Sequence, residues 1–112
     1  MTKVSAERWV DVGSEEEIRN QERSVVFAGG YDILIFSLQD SLVAIQAECP
    51  HAQGELAEGE LMQDQGERVI QCPIHHYRYS LADGHSTNSP HYDARIYPVK
   101  AEGGRILVGI PG

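Results

Sequence analysis

Two short segments decide the interpretation of this chain: Cys49-Pro50-His51 and Cys72-Pro73-Ile74-His75. They contain both cysteines of the sequence, and twenty residues separate His51 from Cys72. Each segment offers one thiolate and one imidazole, and each is short enough to direct both side chains toward one point. The pattern therefore predicts a metal centre. Its expected ligands are Cys49, His51, Cys72 and His75.

The order of these ligands favours a two-iron cluster over a single metal ion. Zinc fingers usually group their cysteines in one pair and their histidines in another, whereas each segment here supplies one of each. In a Rieske [2Fe–2S] centre one iron binds two cysteines and the other binds two histidines, so each segment must give one ligand to each iron. The alternation in this sequence matches that arrangement, and we expect one [2Fe–2S] cluster.

The same residues resemble the Rieske ferredoxin family. The resemblance begins at Cys49-Pro50-His51-Ala52 and at Cys72-Pro73-Ile74-His75-His76-Tyr77, and it continues with Gly84 in the turn after the second loop. Ser89-Pro90 is similar to the proline-containing loop that family members lay over the cluster. The resemblance extends loosely over nearly the whole chain. It implies a Rieske fold and an electron-transfer function.

The resemblance also implies a reduction potential toward the low end of the Rieske range. Respiratory members carry an extra cysteine in each loop and form a disulfide, whereas the matching residues here are Gly54 and Ile74. Those members also place a serine and a tyrosine hydroxyl on the cluster sulfurs; the matching residues here are Tyr77 and Tyr79. Tyr79 raises the potential if its hydroxyl reaches a sulfur. The alternative is a core aromatic whose hydroxyl faces solvent.

The expected fold class is all-β: a Rieske-like antiparallel β-sandwich or barrel with an inserted small cluster-binding subdomain. Residues 1–112 are expected to form one domain, with the subdomain at about 47–87 and the β base at 1–46 and 88–112. The inserted segment is poor in apolar runs, so metal ligation is expected to supply much of its folding free energy. Strands are predicted at 9–12, 24–28, 31–36, 42–45, 68–71, 77–80, 95–100 and 105–108.

Glycine pairs at 29–30 and 103–104 predict two tight turns between these strands. Ser14 is a good N-cap for the acidic residues that follow it. Only Ile18 offers an apolar anchor there, which favours a short turn over a true helix.

Charge and hydropathy narrow the range of partners. The formal net charge of −8 argues against nucleic acid, because phosphate binding requires clustered lysine and arginine. No apolar stretch is long enough to cross a bilayer, and the amino terminus lacks the apolar core of a signal peptide. We therefore expect a cytoplasmic protein. Acidic residues between the two ligand segments are expected to form a solvated face, and the alternative is that they also steer a basic partner: Glu55, Glu58, Glu60, Asp64 and Glu67.

The leading hypothesis is an electron-transfer component, not an enzyme: a soluble one-electron carrier between a flavin-dependent reductase and a terminal oxygenase. A small chain with no substrate-binding apparatus favours this role. The first alternative is a small Rieske-like subunit of a nitrite reductase or other redox complex. The second is a zinc-bearing structural module, which metal analysis would separate. A disulfide between the two cysteines is a further alternative, although it would not explain the paired histidines.

The remaining histidines are expected to lie outside the centre. His76 neighbours His75, but the family spacing favours His75 as the ligand. His85 and His91 are expected to be solvated loop residues. An oxygen-activating iron site built from these two and Asp93 is excluded by the resemblance, because in Rieske oxygenases that site belongs to a separate large domain.

Overall fold

A computed structural model describes residues 6–39, 41–50, 54–74, 76–88 and 92–111 of the chain. Within these ranges the backbone forms ten strands, one short α-helix and a 3-10 turn at Leu56–Glu58. The elements are β1 (Arg8–Ser14), α1 (Glu15–Arg19), β2 (Arg23–Ala28), β3 (Tyr31–Ser37), β4 (Leu42–Gln46), β5 (Glu60–Asp64), β6 (Glu67–Gln71), β7 (Arg78–Ser80), β8 (Ile96–Tyr97), β9 (Val99–Glu102) and β10 (Arg105–Ile110).

The strands form three antiparallel sheets. The terminal sheet has the order β1-β10-β9, the central sheet β2-β3-β4-β8, and the small sheet β5-β6-β7. The all-β, antiparallel class predicted from the sequence is confirmed. No helix in the part of the chain that the structure describes is long and apolar enough to cross a membrane.

Strand β3 of the central sheet is buried on both faces. Its successive side chains point to opposite faces, as in any strand. Ile33 and Ile35 face the terminal sheet, while Leu34 and Phe36 face the opposite side. The first side holds the base core: Ile18, Ala28, Ile33, Ile35, Ala44, Tyr97, Ile106, Val108 and Ile110. The second side holds the cysteine core: Leu34, Phe36, Ile45, Ala47, Cys49, Leu56, Ile70, Cys72, Tyr79, Leu81, Ala94 and Ile96.

The hairpin predicted around Gly29-Gly30 is present. Ala28 pairs with Tyr31 across the two glycines, which have φ values of 57° and 91°. Positive φ at both central positions is what a two-residue hairpin turn requires. Gly29 is also packed tightly, since a Cβ there would lie 1.9 Å from Ile110 Cδ1. The turn of the central sheet therefore packs directly against Ile110 of β10 in the terminal sheet.

The strand predicted at 95–100 is in fact two strands in different sheets. β8 pairs with β4 of the central sheet, and β9 pairs with β10 of the terminal sheet. Pro98 lies between them, and because it has no backbone N–H it interrupts the pairing. Its carbonyl accepts a hydrogen bond from Gly109 at 2.8 Å. The single-strand prediction was therefore wrong, and this segment links two sheets.

Two further elements differ from expectation. The segment Glu15–Arg19 is a short α-helix and not merely a turn. Ser14 caps it as predicted, with its hydroxyl oxygen accepting from the Glu17 amide at 3.4 Å, and Ile18 is its buried anchor. The sequence reading also missed β5, which is rich in acid but pairs along its full length with β6.

Candidate metal centre

Cys49 follows an isolated bridge at Glu48 and Cys72 follows β6, and backbone hydrogen bonds close the loop after each cysteine. The Cys49 amide donates to the Gly54 carbonyl at 2.7 Å. The Cys72 amide donates to the Tyr77 carbonyl at 2.8 Å, and the Cys72 carbonyl accepts from the His76 amide at 3.1 Å. Both side chains are buried, with 3% and 0% of their surface exposed. Each loop therefore holds its thiol inside the protein.

The two sulfurs lie together and are not bonded to each other. Both cysteines are free thiols, so the alternative of a disulfide is wrong for this structure. Burial raises the pKa of the Cys72 thiol, and its hydrogen bond with Cys49 and the Cys49 charge raise it further. The Ile74 backbone amide opposes this shift by donating to the Cys72 sulfur. A buried thiol whose pKa is raised in this way is held as a thiolate when a cation binds its sulfur.

Tyr79 reaches one of these sulfurs from β7. Its ring is fully buried, and its hydroxyl oxygen lies 3.3 Å from Cys49 Sγ. Burial, followed by the hydrogen bond with Cys49, raises the pKa of Tyr79, so the hydroxyl keeps its proton. A protonated hydroxyl donates to a thiolate that can only accept. The alternative with a solvent-facing hydroxyl is wrong.

Gly54 and Ile74, which the sequence resemblance matches to the disulfide cysteines of respiratory Rieske proteins, lie close together here. A Cβ on Gly54 would lie 2.9 Å from Ile74 Cδ1 and 3.0 Å from Cys72 Sγ. Such contacts are too short for a real side chain, so glycine is required while Ile74 and Cys72 keep these positions. The Ile74 side chain is 47% exposed. An apolar contact therefore joins the two loops at this point.

The structure brings Cys49 and Cys72 together, but it does not test the predicted ligand set. His51 and His75 lie outside the described residues, as do Ser89, Pro90 and His91. His76 is described; it is exposed, with a left-handed φ of 60°. The assignment of Cys49, His51, Cys72 and His75 as ligands therefore stays a prediction.

His85 is a loop residue with a side chain that is 40% exposed, as the sequence predicted, but two carboxylates also hold its ring. Its Nδ1 contacts Asp83, and its Nε2 lies 3.1 Å from Glu67 Oε2. The hydrogen bond with Asp83 is the main cause that raises the pKa of His85, and the Glu67 charge adds to it. Asp93 accepts from the Ser86 amide at 3.2 Å. Within the described residues, no group of three or more potential ligands is placed to hold a metal ion.

Two side chains that the sequence reading missed fix the loops from outside. Arg23 Nη1 on β2 donates to the carbonyls of Ala57 and Gly59 at 2.8 and 2.9 Å, and its guanidinium covers the Phe36 ring. Asn88 bonds the backbone of His76 and Arg78. The four loop groups that these two side chains bind are three backbone carbonyls and one backbone amide. No side-chain pattern in the sequence reveals such contacts.

The acidic residues between the loops divide into two groups. Asp64 accepts from Thr87 Oγ1 at 2.6 Å and pairs with Arg78, and Glu67 accepts from Ser80 Oγ at 3.0 Å. These two carboxylates are therefore part of the fold. The exposed group is Glu48, Glu55, Glu58 and Glu60. Only this second group is free to present negative charge to a partner near the first loop.

The donor set fits an iron–sulfur cluster. Thiolates are the usual protein ligands of such clusters, and hydrogen bonds to the sulfurs tune their potentials. Cys49 and Cys72 supply two adjacent thiols, while the Tyr79 hydroxyl and the Ile74 amide supply one hydrogen bond to each. The described part of the site thus contains both candidate sulfur ligands and the groups that would stabilise negative charge on them.

Comparison with known proteins agrees with this geometry. Residues 8–109 match the family described as Rieske-like [2Fe-2S] domain. The chain is 30% identical over 101 residues to the ferredoxin component of the alkene monooxygenase system from Xanthobacter autotrophicus, covering 90% of this chain and 80% of that protein. The ferredoxin of carbazole 1,9a-dioxygenase from Nocardioides aromaticivorans has a TM-score of 0.77 at 26% identity, covering 92% of this chain and 98% of that one.

A further solved structure, named as an NADH-dependent nitrite reductase small subunit from Mycobacterium tuberculosis, has a TM-score of 0.82 at 22% identity. That match covers 94% of this chain and 96% of that chain, and it shows the fold alone. The family match covers most of the sequence, so the chain belongs to the Rieske-like [2Fe-2S] domain family. Its cofactor is one [2Fe–2S] cluster, and it is an electron-transfer protein and not an enzyme in its own right.

Proposed function

We propose that this chain carries single electrons from a flavin-dependent reductase to a terminal oxygenase. The carrying observation is the pair of buried free thiols, each with a hydrogen-bond donor, in a chain whose relatives are ferredoxin components of oxygenase systems. We further propose a cytoplasmic location. The described residues include buried sulfurs with hydrogen-bond donors, which would stabilise the negative charge that an added electron brings. An electron carrier needs such a site.

The proposed ligands are Cys49 and Cys72 on one iron and His51 and His75 on the other. The chain supplies the environment that decides how readily the site accepts an electron. Two thiolates balance the charge of two ferric ions and two sulfides, so the oxidised site is near neutral, and an added electron is less opposed than with four thiolates. The Tyr79 hydroxyl and the Ile74 amide stabilise the more negative reduced site.

Metal analysis of the purified protein tests the ligand proposal. We expect two irons and two acid-labile sulfides per chain and a red-brown colour. Replacement of His51 or His75 by alanine should remove the colour, whereas replacement of His76 should retain it. A colourless protein that contains zinc would instead support the structural module.

Partner docking is proposed to use the exposed acids beside the first loop. Glu48 and Glu55 pair in an isolated β-bridge directly next to Cys49, and Glu58 and Glu60 follow on the same segment. A basic surface on a reductase or oxygenase is the complementary partner. Electrostatic attraction of this kind increases association rates and weakens as salt is added.

A matched pair of charge variants tests this surface. Glu55→Gln with Glu58→Gln removes two exposed charges near the loops, and Glu16→Gln with Glu17→Gln removes two from α1, which packs on the terminal sheet. We expect only the first variant to slow electron transfer to a Rieske oxygenase and to reduce the salt dependence of the rate. Equal effects from both pairs would show that net charge matters and not this surface.

The similarity in fold to a nitrite reductase small subunit supports a second candidate, a fixed subunit of a larger redox complex. The two candidates differ in how long the partner stays bound. A carrier exchanges between partners, so reduced protein should transfer its electron to an oxygenase at a rate that depends on concentration. A fixed subunit should co-purify in a fixed ratio with a large reductase subunit.

A further inference from the structure

The outer edge of β7 is paired by the chain that follows it. The Ser80 amide donates to the His85 carbonyl at 2.8 Å, and the Thr87 amide donates to the Arg78 carbonyl at 3.0 Å. Tyr79 and Ser86 form an antiparallel bridge between these two bonds. Residues 85–87 therefore act as a short additional strand beside the ligand loop that starts at Cys72.

At Asn88 this pairing passes from the backbone to a side chain. The Arg78 amide donates to Asn88 Oδ1 at 2.9 Å, and Asn88 Nδ2 donates to the His76 carbonyl at 2.9 Å. A carboxamide has the same donor and acceptor as a peptide group. The Asn88 side chain thus occupies the place of the next backbone pair.

The two backbone groups that Asn88 binds belong to the closure of the second ligand loop. His76 and Arg78 flank Tyr77, whose carbonyl accepts the Cys72 amide on the other side. His76 has a left-handed φ of 60°, a conformation that a residue with a side chain keeps only when its surroundings hold it. Asn88 supplies one of those holding contacts.

We propose that Asn88 is a positioning residue for the cluster, whose carboxamide fixes the loop from Cys72 to Tyr77 and thereby raises the reduction potential. The same loop aims the Ile74 amide at the Cys72 sulfur. A bond of that kind stabilises negative charge on sulfur, so loosening it disfavours the reduced state. The inference rests on the proposed ligand role of Cys72, but its readouts require neither a reductase nor an oxygenase.

The test is Asn88→Ala in the full chain, compared with Asn20→Ala. Asn20 is an exposed asparagine at the end of α1, remote in the fold from the small sheet. In the Asn88 variant we expect a lower midpoint potential, altered g-values of the reduced protein, and faster amide exchange in the peptide containing Arg78. Loss of the two hydrogen bonds to the His76 and Arg78 backbone should also speed cluster release about tenfold. The Asn20 variant should match the wild type in all four.

Unchanged potential and g-values in Asn88→Ala would overturn the proposal even if cluster release were faster, because that combination indicates only a structural contact. If Asn88→Ala retains no cluster, Asn88→Asp decides. It keeps the acceptor for the Arg78 amide and lacks the donor to the His76 carbonyl. We expect slow exchange at Arg78 with faster cluster release, and a wild-type release rate would overturn the proposal. A wild-type protein without iron would refute the ligand assignment instead.

Discussion

The two cores on either side of the central sheet are built differently. The base core joins the central and terminal sheets through aliphatic side chains and one tyrosine, and Ile106, Val108 and Ile110 from β10 fill its centre. The cysteine core includes two thiols and a tyrosine hydroxyl among its buried groups. The base core is apolar except for the Tyr97 hydroxyl, which accepts a hydrogen bond from Arg95, whereas the cysteine core buries groups that would carry charge when metal is bound.

Polar side chains supply the extra connections that the second core needs. Arg23 ties the central sheet to the 3-10 turn, Asp64 binds Arg78 and Thr87, and Asn88 binds the second loop. A buried hydrogen bond contributes on the order of 1 kcal/mol, and losing one partner costs more. The base is therefore expected to remain folded under conditions that loosen the cysteine core.

Replacement of Cys72 by serine should produce the largest difference between the two cores. We expect complete loss of iron and colour, because one thiolate ligand is gone. Amide exchange should increase in the small sheet and its loops, while β3 and β10 remain protected. Exchange mass spectrometry of the variant checks this, and it also tests the predicted division at residues 47 and 87.

His76→Ala is the control for this experiment, since it alters the same loop without removing a proposed ligand. It should retain the full complement of iron. A Cys72→Ser protein that kept its iron would refute the ligand assignment. Uniform loss of protection in β3 and β10 would show that the two cores unfold as one unit.

A cavity in the base core should lower the stability of the whole protein and leave the cluster unchanged. Ile106 is fully buried between the terminal and central sheets, and Ile106→Ala should lower the free energy of unfolding by about 2–5 kcal/mol. The visible spectrum and potential of the folded protein should be unchanged, because this side chain belongs to the other core. Urea unfolding followed by fluorescence and by visible absorbance measures both. A shifted spectrum would show that the cores are coupled through the central sheet.

The sequence predicted the parts of the molecule that depend on local chemistry. The hairpin at Gly29-Gly30 follows from the turn that two glycines allow, and the buried cysteine pair follows from ligand spacing. The break at Pro98 was missed because strand propensity continues on both sides of it, although proline removes the ladder donor. Strand β5 was missed because its acidic residues suggested a solvated surface.

Contacts between distant segments were the least predictable. Tyr79 is thirty positions from Cys49, and its burial depends on how β7 packs against the central sheet. His85 pairs with Glu67 across the small sheet, and Asn88 binds backbone groups that have no sequence signature. These contacts are set by the assembled fold, so residue type and spacing leave them open.

Tyr79→Phe removes a hydroxyl that stabilises negative charge in the cysteine core. The ring stays in place, so the substitution creates no cavity. Loss of the hydroxyl at 3.3 Å from Cys49 Sγ should lower the reduction potential by tens of millivolts, since about 59 mV corresponds to tenfold for one electron. Tyr97→Phe is the matched control: Tyr97 is equally buried, lies in the base core, and accepts from Arg95 through its hydroxyl. Protein-film voltammetry measures both variants. Equal potentials in Tyr79→Phe and the wild type would remove the proposed role of the hydroxyl.

The smallest expected effect concerns pH and the His85 contacts at the edge of the small sheet. Asp83 and Glu67 raise the pKa of His85 above its ordinary value of 6.5, so this contribution to stability is fully present below that pH and is lost as pH rises through the raised pKa. The ring is partly exposed, so the contribution is small. Asp83 has a lowered pKa and stays ionised throughout this range.

Urea midpoints of the wild type and His85→Gln, measured from pH 6 to pH 9, isolate this term as the difference between the two curves. We expect the wild-type advantage to be largest at pH 6 and to fall toward pH 9. Asp83→Asn removes the main cause of the raised pKa of His85. The stability of this variant should therefore depend less on pH than the stability of the wild type. A difference that stays constant from pH 6 to pH 9 would show that His85 contributes by packing and not by charge. In that case the His85 contacts of the small sheet would stabilise the protein by packing, as the side chains of the base core do, and the two cores would differ less than proposed.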